Sequence, residues 1–165
     1  GIDVTEVTAT ILDRPRHDDI VAEIREVGAR IRLIGDGDVA AAIATAIPDS
    51  GVDILFGVGG TPEGVIAAAA LKCMDGELVG RLWPRDEDER AAAQAAGYDL
   101  GRVLGTDDLV AGDNCFFAAT GITDGNLLRG VHYNRLGATT QSLVMRSRSG
   151  TVRFVDATHR PSKLS

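Results

Sequence analysis

The sequence predicts a layered α/β fold, a mixed β-sheet with helices on its faces. Three observations predict it. The first half alternates short β-branched or aliphatic runs with stretches of helical spacing. The last third is a series of strand-like segments separated by turn residues. The composition favours close packing of small aliphatic side chains, since 44% of the 165 residues are hydrophobic, only 4% are aromatic and 20 are glycine. That length is near the usual size of one domain, so a single α/β domain over residues 1–165 is expected.

Taken in order, residues 5–12 are short and β-branched and read as a strand. Asp18 and Asp19 open a helix in which Ile20, Val21, Ile24, Val27 and Ala29 fall near helical spacing, with acids placed where the helix dipole favours them. RIRLI, residues 30–34, is the next strand. Asp38 is the expected N-cap of a helix over residues 39–46. DILFGV, residues 53–58, is apolar almost throughout, as in a strand buried on both faces. A helix over residues 62–74 follows, with Thr61 as cap and Pro62 at the first position, where a missing N–H costs nothing. Residues 77–82 read as strand, and residues 85–96 as a helix whose charged start, RDEDER, faces solvent. Residues 114–122, 127–134, 138–147 and 151–159 are strand-like, with TDGN and SRSG as turns. The tail RPSKLS is expected to fray, and its SKL is followed by Ser165, so it is no terminal peroxisomal signal.

Acids outnumber bases 24 to 17, giving a net charge of −7, which argues against a general nucleic-acid or anionic-membrane partner. The scarcity of aromatic residues argues against a base-stacking single-strand binder. No apolar run reaches the roughly 20 residues that span a bilayer. No basic stretch precedes an apolar block at the start, so no signal peptide is expected and a cytoplasmic location is. Cys73 and Cys115 read as two reduced, buried thiols, and neither belongs to a zinc-ligand cluster.

Three strand-to-helix junctions carry chemistry. In GGTPEG, Gly59 and Gly60 permit a sharp turn and close approach of a ligand, and Glu63 sits in the first turn of the helix. Ligands of open α/β sheets bind beyond the carboxyl ends of strands, where a carboxylate can hold a hard cation. The same Thr-Pro-Glu is equally an ordinary capping sequence. In GDGD, Asp36 and Asp38 flank Gly37 and can accept hydrogen bonds from sugar hydroxyls or ligate a cation; as structural residues they form a turn and a cap. In DRPRHDD, Arg14 and Arg16 straddle the stiff Pro15. Guanidinium forks match phosphate oxygens, although ion pairs with Asp13, Asp18 or Asp19 would also explain them. His17 reads as a loop or cap residue, Asp124 as part of a hairpin turn, and His132 and Tyr133 as core or face positions of a strand. If the three strands are parallel neighbours, all three junctions converge on one sheet edge as a phosphosugar site with a metal beside it.

The stretches LDRPRHDDIVAEIREVGARI, LIGDGDVAAAIATA, GVGGTPEGVIAAAALKCMDGELVGRL and ATGITDGNLLRGV, in that order, resemble the C-terminal half of a class II fructose-1,6-bisphosphatase. The resemblance covers residues 12–147. It implies the metal-dependent, lithium-sensitive sugar phosphatase fold, and removal of the 1-phosphate of fructose 1,6-bisphosphate to give fructose 6-phosphate in gluconeogenesis, with Mg2+ or Mn2+. Position by position it implies that Arg14, Pro15 and Arg16 hold the retained phosphate, and that Asp36, Gly37 and Asp38 bind sugar hydroxyls. Gly60 would contact substrate through its backbone, and Glu63 would be a metal ligand. The family's basic residue at Arg14 is often lysine. Members of the family are about twice this length, and their N-terminal half carries most metal-binding acids, including an Asp-Gly-Thr motif that this chain lacks. The implied partners are therefore that N-terminal half and further copies of the enzyme in a homo-oligomer. A single Glu is too few ligands for a water-activating metal, so activity is expected of the two halves together. Alternatives are a non-catalytic sugar-phosphate-binding domain, or the same fold acting on sedoheptulose 1,7-bisphosphate or an inositol phosphate.

Overall fold

Residues 1–160 are described by the structure, a computed structural model. The expectation of a frayed tail falls, beyond Arg160, on residues 161–165, outside the described ones. The elements in chain order are β1 (Thr8–Leu12), α1 (Asp18–Val27), β2 (Arg30–Ile34), α2 (Asp38–Thr45), β3 (Ile54–Phe56), α3 (Thr61–Lys72), β4 (Val79–Gly80), α4 (Glu87–Ala95), β5 (Leu104–Gly105), α5 (Thr106–Leu109), β6 (Phe116–Thr120), β7 (His132–Asn134), β8 (Gly137–Arg146) and β9 (Thr151–His159). The layered α/β architecture expected from the alternation is present. Its strands are sorted by direction into separate sheets: β2, β1 and β3 are parallel, β4 pairs antiparallel with β5, and β6 to β9 form an antiparallel sheet.

The parallel sheet has β1 at its centre, with Ala9 opposite both Ile31 and Ile54. Side chains alternate across a strand, so Ala9 and Ile11 share a face. They pack there with Val21 and Ile24 of α1. Thr10 points to the other face, toward the side where α2 crosses β1 and β3. Thr10 is fully buried and its hydroxyl has no hydrogen-bond partner among the described residues. The chain begins differently from expectation: Val4–Glu6 is a 3-10 turn capped by the Asp3 side chain, so the strand starts at Thr8.

α2 packs on the parallel sheet, and α3 packs between α2 and β6. The C-terminal half of α3 is buried, while Val65 and Ile66 nearer its start are exposed. Ala67, Ala68 and Ala70 are small enough to let α2 and the antiparallel sheet approach together. The main core joins Ile43 of α2, Ala70 and Cys73 at the end of α3, and Phe117, Leu128, Leu143 and Met145 of the antiparallel region. The two thiols, distant in sequence, meet here: Cys73 Sγ lies 3.7 Å from the Cys115 carbonyl. Both cysteines are free, Cys73 buried and Cys115 half-buried. Burial, then the neighbouring Cys115, pushes the Cys73 thiol up to about 11, so it stays protonated at neutral pH.

β8 organises the antiparallel sheet. β9 pairs along it from Ala138 to Arg146. A strand has only two edges, so β6 and β7 must share the other, β6 against Ser142–Arg146 and β7 against Gly137–Thr139. The expected strand over residues 127–134 is shortened to β7 because residues 121–131 fold back tightly. A Cβ on Gly121 would strike the Arg129 carbonyl, and one on Gly130 would strike the Thr123 backbone. Asp124 fastens this loop, accepting from the Gly130 N–H (2.9 Å) and bonding His132 Nε2 (2.8 Å). TDGN is thus part of a folded-back loop, since β6 and β7 do not pair with each other. Tyr133 is 84% exposed, so the expected core or face position is a surface one.

Candidate functional site

Because β1 lies between two parallel partners, the segments leaving β1, β2 and β3 all emerge at the same sheet edge. The convergence expected from the sequence is met, and polar bonds tie the three segments together. Arg14 donates from Nη1 to its neighbour's carbonyl at Asp13 and from Nη2 to the Gly35 carbonyl after β2, both at 2.7 Å. Arg16 donates from Nε to the Val58 carbonyl after β3 at 2.8 Å. These carbonyl bonds replace the ion pairs with Asp13, Asp18 or Asp19 that were one expectation. Among the described residues both Nη groups of Arg16 are without a partner, whereas Arg14 uses both of its own.

His17 completes the tie. It is 1% exposed, inside the 3-10 turn Pro15–His17. Its Nδ1 bonds the Leu12 carbonyl at 2.8 Å, and its Nε2 accepts from the Val58 N–H at 2.9 Å. That pattern fits the neutral ring with the proton on Nδ1. His17 stands at the N-cap position of α1, as expected, but makes no side-chain capping bond; its ring is instead a bracket between the ends of β1 and β3. Only its isolated place between two charged stretches, RPR and DD, is visible in the sequence, and that does not reveal the bracket.

The GDGD and GGTPEG turns differ from the expected capping. Gly37, with φ 79° and ψ 39°, is the N-cap of α2, and Asp38 is the first helical residue. Only a glycine takes that left-handed conformation without strain. Asp38 Oδ1 accepts from the adjacent Val39 N–H at 2.9 Å. Likewise Gly60, not Thr61, is the N-cap of α3. The two carboxylates then bracket one dipeptide. Asp38 Oδ2 lies 3.6 Å from where a Cβ on Gly59 would stand, and a Cβ on Gly60 would collide with the Glu63 carboxylate. Asp36 and Pro15 are exposed on the same edge.

Asp38, Gly59, Gly60 and Glu63 line a cleft of about 440 Å³ between the start of α3 and the β4 segment. The volume is within the roughly 300–1,000 Å³ typical of small-molecule sites. Arg14, Arg16 and Asp36 are not on its wall, so the cleft gathers only part of the expected set. Its far wall holds two residues not foreseen from the sequence, Arg81 and Trp83, with the guanidinium 5.3 Å from the ring centroid. No spacing signal marks them, because Leu82 between them lines the cleft too. Carboxylate oxygens suit a hard cation, and Asp38 with Glu63 offers a partial donor set. Among the described residues no group of three potential metal ligands forms.

The family model for bacterial fructose-1,6-bisphosphatase, glpX-encoded, matches residues 1–159. The chain belongs to this bacterial fructose-1,6-bisphosphatase family. It is 43% identical over 172 aligned positions to fructose-1,6-bisphosphatase 1 class 2 of Escherichia coli K12, covering 96% of this chain and 51% of that one. The same identity and coverage hold for the class 2 fructose-1,6-bisphosphatases of Escherichia coli O6:H1 and Shigella flexneri. The chain thus spans about half the length of the curated relatives it matches. No helix among the described residues is long and apolar enough to cross a membrane.

Proposed function

We propose that this chain is the sugar-phosphate-binding half of a metal-dependent phosphatase that hydrolyses the 1-phosphate of fructose 1,6-bisphosphate to fructose 6-phosphate. The observation that carries the reading is the convergence of three junctions on one sheet edge, with Asp38 and Glu63 flanking the Gly59–Gly60 turn in a ligand-sized cleft. The domain is taken as one unit, residues 1–165, complemented by the half that its relatives possess. It acts in the cytoplasm, in gluconeogenesis, as part of a homo-oligomer.

In this reading Arg16 offers its two Nη groups to the phosphate that is retained. Arg14 and Pro15 hold that segment in place, Arg14 through the Gly35 carbonyl. Asp36 and Asp38 accept hydrogen bonds from sugar hydroxyls, and Gly37 lets the turn between them form. Gly60 presents bare backbone to the substrate. Glu63 is the metal ligand, with Mg2+ or Mn2+ matching its oxygen chemistry and the other ligands supplied by the complementing half. When bound, the metal would neutralise phosphoryl charge and acidify a water. The chain's own residues bind and orient the sugar phosphate, which is a large share of phosphoryl-transfer catalysis.

The test is phosphate release. The chain alone is expected to bind fructose 1,6-bisphosphate without hydrolysing it. Adding the complementing half of a relative together with Mg2+ or Mn2+ is expected to restore turnover. Comparison of kcat/KM on sedoheptulose 1,7-bisphosphate and on inositol phosphates identifies the substrate. Binding that never leads to turnover with either metal would instead make the chain a non-catalytic sugar-phosphate-binding domain.

A further inference from the structure

The cleft has an asymmetry that the roles above leave unexplained. Its near wall carries the carboxylates of Asp38 and Glu63, and among the described residues Arg81 is the only cationic side chain that lines it. Arg14 and Arg16 stand outside it, spending donors on the carbonyls of Asp13, Gly35 and Val58. An anionic ligand entering this cleft therefore meets two like charges and a single opposite one.

Arg81 is also prepared for such a ligand. Among the described residues it makes no ion pair, not even with Asp38 or Glu63 in the same cleft, and no side-chain hydrogen bond. Arg25, Arg30, Arg32, Arg135 and Arg153 are likewise unpaired among the described residues, but none of them lines the cleft, whereas Arg85, Arg90, Arg102 and Arg129 each pair with a carboxylate. Its guanidinium instead lies over the face of the exposed Trp83 ring, a contact that leaves the fork of N–H donors open. The segment after β4 carries both side chains to the cleft, with Leu82 between them also on its lining. A planar fork with unspent donors is the geometry that matches two oxygens of a phosphate ester.

We propose that Arg81, lying over Trp83, is the residue of this cleft that binds a phosphate ester of the ligand. It would draw the ester between the cationic wall and the carboxylate wall, and it would set a preference for ligands with a second anionic group over neutral sugars. The inference rests on the sugar-phosphate reading above.

Trp83 is the chain's only tryptophan, so its emission reports on this cleft. The experiment titrates the purified chain with inorganic phosphate and with fructose 1,6-bisphosphate, followed by tryptophan emission and by calorimetry. The wild-type chain is expected to bind both anions. Arg81→Ala is expected to weaken each by about tenfold or more, and Arg81→Lys to recover part of the loss, with the melting temperature unchanged. Equal affinity of wild type and Arg81→Ala for the bisphosphate would overturn the assignment and leave the phosphatase reading intact. Phosphate binding that depends on Arg81, with none of the bisphosphate, would keep the assignment and remove that reading. Failure of the wild-type chain to bind either anion would overturn both.

Discussion

The two larger sheets are stabilised in different ways. In the antiparallel sheet, β8 is enclosed: β9 covers one edge, β6 and β7 the other, and Leu143 and Met145 are fully buried against Cys73 and Ile43. The carboxyl edge of the parallel sheet has little apolar cover. Its three segments are joined by arginine and histidine bonds to carbonyls and an amide. Apolar burial is non-directional and tolerates small shifts, whereas hydrogen bonds fix atoms at stated distances. A binding edge gains from the second arrangement, because its backbone can remain open to a ligand and still be held in register.

Four substitutions break or sharpen this contrast. Leu143→Ala removes a fully buried side chain from the enclosed sheet and is expected to lower unfolding free energy by about 2–5 kcal/mol. Its affinity for fructose 1,6-bisphosphate should stay close to wild type below the melting transition; a parallel loss of affinity would show that the two regions are not separable. Glu63→Gln acts at the open edge with little cost to stability. In the enzyme reconstituted with its complementing half, turnover is expected to fall by about a hundredfold with a milder change in KM. Unchanged turnover at saturating metal would remove Glu63 from the metal shell.

His17→Ala joins the two regions of the contrast in one residue. It deletes buried bonds to Leu12 and Val58, so a loss of about 1–3 kcal/mol is expected, measured by chemical denaturation. Unlike Leu143→Ala, it should also weaken ligand binding, because the ends of β1 and β3 lose their bracket. Intact binding would mean that the arginine bonds suffice. Asp124→Asn is the smallest. The Gly130 N–H, then His132, holds the Asp124 carboxyl below its ordinary value of 3.8. The charged form is therefore favoured by folding, so its contribution is present above that ordinary value and fades as pH falls through the lowered one. Melting curves between neutral pH and pH ~3 should show a slightly shallower acid decline in the variant.

Local patterns in the chain were enough for most elements. The run RIRLI is β2 with its expected bounds, and the helix expected to open at Asp18 and Asp19 is α1. β3, expected to be buried on both faces, is an edge strand with Ile54 and Phe56 exposed. Asp38 and Thr61 are good capping residues, but glycines one position earlier take the cap, leaving Asp38 and Glu63 beside the bare backbone of residues 59–60. The short β5 and α5 carry too few residues for any periodicity to show. The length of β7 was set by Gly121 and Gly130 meeting segments about eight residues away, which no spacing rule anticipates.

The sequence by itself determined the alternation of strand and helix and the three junctions that carry arginine, aspartate and glutamate. These follow from side-chain period and backbone preference, which act over a few residues. Only the tertiary structure decided that Arg14 and Arg16 turn to carbonyls across the sheet edge, that His17 spans two strand ends, and that Arg81 and Glu63 line one cleft. Those contacts join residues dozens of positions apart, and their partners are chosen by the packing of whole sheets and helices rather than by neighbours in the chain.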